Sequence, residues 1–116
     1  MSQKEKWRHC PFECPMRKFF ICISMEAETD IDDIFRYITF RLMAPETAIK
    51  YKDGIIHEIY KLTFTGDIYP ISRHESIQRR YGPDARTATY KKMTIIFNVM
   101  DDIVLVRRVM AGSLIV

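Results

Sequence analysis

Glycine and proline are scarce in this chain, at 4 and 5 of 116 residues, which excludes a collagen-like repeat and a low-complexity linker. Cysteine is nearly absent as well, and its number, 3, is odd. With no basic start, long apolar centre or small-residue cleavage site of a signal peptide, free thiols in a reducing compartment are expected rather than a disulfide scaffold, so a cytoplasmic location is the expectation. Long hydrophobic runs are missing: residues 19–23, 93–97 and 103–106 are the longest, far below the ~20 residues of a membrane-spanning helix. A soluble protein with no membrane partner is expected. Nor does one sign of charge dominate, since the formal net charge is only +3.

What is present points to a folded domain. Hydrophobic residues make up 47% of the chain and aromatics 12%, too much for a disordered tail, and the length suits one core. Residues 1–15 are polar, contain Pro11 and Pro15 and show no helical or strand periodicity. They are set apart as an N-terminal extension, with Met16 a second candidate start and 16–116 a single domain. His9, Cys10 and Cys14 could begin a zinc site, but no second ligand pair follows. There is no Gly-rich phosphate loop either. No metal, no cofactor and no small-molecule substrate are therefore expected.

Periodicity gives the element order. Residues 17–24 read as a strand buried on both faces, with Cys22 as a small hydrophobe. Ala27, Ile31, Ile34, Phe35, Ile38 and Leu42 then fall on one helical face, with Ser24 as N-cap. The crowded carboxylates Glu26, Glu28, Asp30, Asp32 and Asp33 suit the positive end of that helix. Pro45 opens a second helix whose stripe is Ala48, Ile55, Ile59 and Leu62, and Gly54 weakens it without forbidding it. His57 lies off that stripe. Helices joined so closely must form an antiparallel hairpin. Residues 65–83, with Gly66, Pro70, Gly82 and Pro83, read as a long irregular stretch. Three strands come next, at 85–91, 93–99 and 103–110, the last two joined by a turn at Asp101 and Asp102. The predicted fold is α+β, in the order β-α-α-β-β-β. A helical hairpin packs on one face of a small, mainly antiparallel sheet, and the opposite face is left to solvent or a partner.

Basic charge is concentrated late in the chain. Residues 69–92 hold Arg73, Arg79, Arg80, Arg86, Lys91 and Lys92 against Glu75 and Asp84, a net +4, while the rest is close to neutral. These cations are candidates for a nucleic-acid or target contact, and His74 is the acid or base best placed by intrinsic pKa. The alternative is a set of solvated loop charges. Arg107 and Arg108, consecutive in a strand, are expected on opposite faces, so that one guanidinium meets an acidic group, either here or on a partner.

At residues 17–38 the sequence RKFFICISMEAETDIDDIFRYI resembles the opening of RelE/ParE-type toxins of bacterial type II toxin–antitoxin systems, through Ser24, Ala27, Asp30, Ile31, Ile34, Tyr37 and Ile38. The resemblance continues at Ala48, Tyr51, Ile55, Ile59 and Leu62 in the second helix. It resumes over 86–113, with Arg86, Ile95, Ile96, Phe97, Asn98, Val99, Asp101, Asp102 and the series 104–113 looking like the family's terminal hairpin. It implies a toxin neutralised by a cognate antitoxin. RelE-like members cleave messenger RNA on the ribosome, whereas ParE-like members poison DNA gyrase. The RelE-type basic position on the sheet corresponds here to Thr94, the late His to Ala111 and the late Arg to Ser113, and neither Thr nor Ala replaces a cation or a proton donor. The resemblance therefore implies a ParE-like protein more than an enzyme. His74 and Arg86 stay as weak catalytic candidates, and Arg73, Arg79, Arg80, Arg86, Lys91, Lys92 and Arg108 as target-binding ones. A RelE-like nuclease and a non-toxic protein-binding member remain the alternatives.

Overall fold

The computed structural model describes residues 18–112. The expectations for the extension at 1–15, for Met16, His9, Cys10 and Cys14, and for Ser113 lie outside the described residues. Strand β1 (Phe20–Ile23) runs into helix α1 (Met25–Arg36) through Ser24, whose hydroxyl accepts the Ala27 N–H at 3.0 Å. The same hydroxyl donates to the Arg107 carbonyl at 2.9 Å, so the cap also fastens the helix start to the sheet. Helix α2 (Pro45–Thr65) begins on its proline, where the missing N–H has no helical partner to lose. A third helix, α3 (Glu75–Tyr81), precedes β2 (Arg86–Tyr90), β3 (Met93–Met100) and β4 (Ile103–Ala111).

The sheet order is β1-β4-β3-β2, with β1 parallel to β4 and the other pairs antiparallel. As the periodicity predicts, the α1–α2 hairpin covers one face. Ile31, Ile55, Ile59 and Leu62 are buried in one cluster with Ile95, Phe97, Val104, Val106 and Val109, and Ile34 packs at its margin. Asp101 turns the last hairpin with φ of 54°, a left-handed conformation that Asp tolerates.

Four expectations are corrected. First, β1 is not buried on both faces: Phe20 is 67% exposed and Cys22 is exposed, because β1 is an edge strand that the helices cover from one side. Second, Leu42 leaves the helical stripe and is 57% exposed. After α1 the chain widens into a π-helical turn (Tyr37–Arg41), closed by the Leu42 N–H on the Tyr37 carbonyl at 3.2 Å. The extra residue in that turn rotates Leu42 and its neighbours away from the core. Third, the stretch 65–83 is not wholly irregular, since α3 forms inside it. Seven residues with one buried apolar side chain, Ile77, carry too short a period to read from sequence. Fourth, the far face of the sheet is partly covered, with Ile77 seated on Ala85 and Ile96 and flanked by Tyr81 and Met110.

Candidate functional site

The far face owes its character to a β-bulge. Phe97 pairs with Val106 and Ile96 with Arg108, so Arg107 has no partner across the ladder. The extra residue breaks the alternation of the strand, and Arg107 and Arg108 both reach the far face instead of opposite ones. The Arg107 guanidinium stacks on the Tyr81 ring at 5.3 Å and donates to Asn98 Oδ1 at 2.9 Å. Buried Asn98 in turn donates from Nδ2 to the Tyr81 carbonyl at 3.1 Å. A polar layer thus lies between the sheet and the end of α3.

Arg108 meets an acidic group of its own chain. Its Nε and Nη2 donate to the two carboxylate oxygens of Asp30 at 2.7 and 3.0 Å, and Asp30 Oδ2 also accepts the Val109 N–H at 3.0 Å. β1 pairs with β4 only over Ile103 to Val106, and beyond it Ser24 and Asp30 satisfy the exposed edge of β4 in place of a strand. The Asp30 hydrogen bond holds the Arg108 pKa above its ordinary value, against the opposing effect of burial. Arg108 thus clasps α1 to β4.

Between the C-terminal half of α1 and α3 lies an open cleft of about 890 Å³. Ile34, Ile38, Ile77, Met93 and Val109 give it an apolar lining, and Asp33, Ser76 and Arg80 bring polar groups. It unites only Arg80 and Arg108 of the predicted site residues. Arg73 and His74 are exposed ahead of α3, with His74 Nδ1 3.2 Å from the Ser76 hydroxyl. Arg79 is exposed and pairs with Glu75 at 3.2 Å. Arg86 donates to the Asp67 and Tyr69 carbonyls and so fastens the loop that follows α2. Lys91 and Lys92 form the β2–β3 turn, where the Lys91 ammonium sits 5.9 and 5.7 Å from the rings of Tyr51 and Tyr90. Thr94 pairs with Met110, and Ala111 lines the cleft. Among the described residues no group of three or more His, Cys, Asp or Glu is placed to hold a metal, and no helix is long and apolar enough to cross a membrane.

Sequence reasoning names Asp30 and Asn98 only within the family resemblance and Arg107 only as one of a pair on opposite faces, and it passes over Tyr81. Asp30 is hidden among four neighbouring carboxylates, and the other three matter only because of the bulge, which no residue pattern announces.

No protein-family model matches the sequence, and no curated protein does. Among solved structures, a chain of the chromosomal ParDE TA system from P. aeruginosa superposes with a TM-score of 0.67 at 19% identity, covering 81% of this chain and 96% of that one. A chain of the toxin–antitoxin complex RelBE2 from Mycobacterium tuberculosis gives 0.56 at 12% identity, covering 84% and 95%. The fold is of the RelE/ParE type. Within that RelE/ParE-like frame, the two-helix layer and the mainly antiparallel sheet occupy the positions expected of them, and the cleft and clasp are built on its second face.

Proposed function

We propose that this chain is the toxin of a toxin–antitoxin pair, ParE-like in mode: it binds a cytoplasmic target such as DNA gyrase, inhibits growth and is neutralised by a cognate antitoxin. The observation that carries the reading is a fold matching chains of two toxin–antitoxin systems over nearly their whole length. Binding without catalysis is favoured by the placement of the basic residues. Arg108 is engaged by Asp30, Arg86 by backbone carbonyls and Arg79 by Glu75. Of the two cations that line the cleft, Arg108 is engaged by Asp30 and Arg80 is left available, and no His is among the lining residues to move a proton.

A RelE-like ribosome-dependent nuclease is the second reading, favoured by the meeting of Arg80, Tyr81 and Arg108 at one cleft. Inducible expression without antitoxin separates the readings. Growth arrest with altered plasmid supercoiling and intact messenger-RNA ends is expected. Arrest with new internal messenger-RNA ends, abolished by Arg80→Ala, would replace the first reading with the second. Unimpaired growth at full expression would leave a non-toxic protein-binding member of the fold.

A further inference from the structure

Residues 72–85 leave the sheet and return to it at one point. The Ser72 N–H donates to the Ala85 carbonyl at 2.8 Å, and Ile71 bridges Arg86 beside it, so both ends of the excursion are pinned together. Within it α3 is largely self-contained. Gln78 Nε2 returns to the Ser72 carbonyl at 2.8 Å, and the Gly82 N–H closes the helix on the Gln78 carbonyl at 2.9 Å. Gly82, at φ of 105°, and Pro83 link the helix to the base. A compact surface excursion with joined ends is an Ω-type loop.

Its hold on the rest of the protein is slight. Ile77 is the one buried apolar side chain of α3, and outside the excursion it rests on Ile96, with Ala85 of the base beside it. The remaining contacts gather at the end of the segment: the Tyr81 ring packs beside Ile77 and Ile96 and lies under Arg107, and Asn98 Nδ2 donates to the Tyr81 carbonyl and reaches Asp84 Oδ1 at 3.5 Å. Both Arg107 and Asn98 can exchange these partners for water, whereas the helix-covered face has only aliphatic and aromatic groups to expose. Local opening is drawn from segments with few buried apolar contacts.

We infer that 72–85 is a hinged lid over the far face of the sheet, turning about the Ser72–Ala85 base, with Ile77 as its apolar latch and Tyr81 as its polar one. Opening uncovers Ile96, Asn98, Arg107 and Met110 and widens the cleft, while the α1–α2 face stays closed. The inference rests on this geometry and not on the toxin reading.

Thiol labelling of the folded protein tests it. In a background with Cys10, Cys14 and Cys22 changed to Ser, Ile96→Cys reports the surface under the lid and Val106→Cys the helix-covered face. The expected result is labelling at 96 at least about tenfold faster than at 106 and insensitive to low denaturant. Adding Tyr81→Ala should speed labelling at 96 by about tenfold more and leave 106 unchanged. Equal rates at 96 and 106 would overturn the lid. Should either Cys variant fail to fold, trypsin on the unaltered chain decides: nicking at Arg79 or Arg80 well before Arg107 or Arg108 supports the lid, and simultaneous cleavage refutes it.

Discussion

Asp30 joins three parts of the molecule through one carboxylate: α1, which carries it, the Arg108 side chain and the Val109 backbone. Its burial makes the loss of a partner costly, because Arg108 and a backbone N–H would be left without an acceptor. Asp30→Ala should destabilise the fold by about 2–3 kcal/mol and Asp30→Asn by about 1–2 kcal/mol, the amide keeping one acceptor but not the charge. Denaturant unfolding measures both, and an Asp30→Asn variant as stable as the unaltered chain would show that charge contributes nothing. At Gly54 the constraint is one of room. An added Cβ would come 2.1 Å from the Tyr90 ring, so space and not helix propensity sets the sign. Gly54→Ala should lose about 1–3 kcal/mol despite the better helix former, and Gly54→Ala with Tyr90→Leu should recover most of it. A stabilised single variant would mean that Tyr90 moves aside freely.

Among elements, those with a long period were legible and those with a short one were not. The stripes of α1 and α2 run through many residues, and their burial against Ile95, Phe97 and Val104 is set by spacing alone. The strands β2, β3 and β4 were placed within a residue or two of their observed limits. The π-helical turn defeated the same rule at Leu42, because one added residue shifts the phase of the stripe beyond it. At the hairpin apex Met43 takes φ of 52° while 81% exposed. A side chain with a Cβ is strained there, and little packing opposes its removal. Met43→Gly should therefore raise stability, by about 0.5–1 kcal/mol in chemical unfolding. A loss of stability would show that the Met side chain contributes more than its exposure indicates.

At the scale of the whole molecule, the fold is legible in the sequence and the packing of the far face is not. A RelE/ParE-like frame rests on element order and core periodicity, properties spread over many residues. Its far face depends on one bulge and one seven-residue helix, and Arg86 and Arg108, chosen for their charge, are occupied by groups distant in sequence, Tyr69 and Asp30. The molecule also carries large apolar groups outside its core, including Phe40 at 72% and Ile68 at 69% exposure. These bury little in the isolated chain, so Phe40→Ser and Ile68→Ser should each change stability by less than about 0.5 kcal/mol. Thermal unfolding checks this, and a drop of several degrees would show that these side chains are packed in solution and not exposed.

The unpaired position at Arg107 also fixes where β4 could lose a residue. Shortening the strand there would restore ordinary pleating while keeping Val106 and Val109 inward and Arg108 outward. Removing Leu105 or Met110 instead would put the neighbouring side chains on the wrong side. Length variation within this strand is thus confined by parity to the neighbourhood of one arginine, and a chain lacking it would keep its hydrophobic interior but lose the cation that rests on Tyr81.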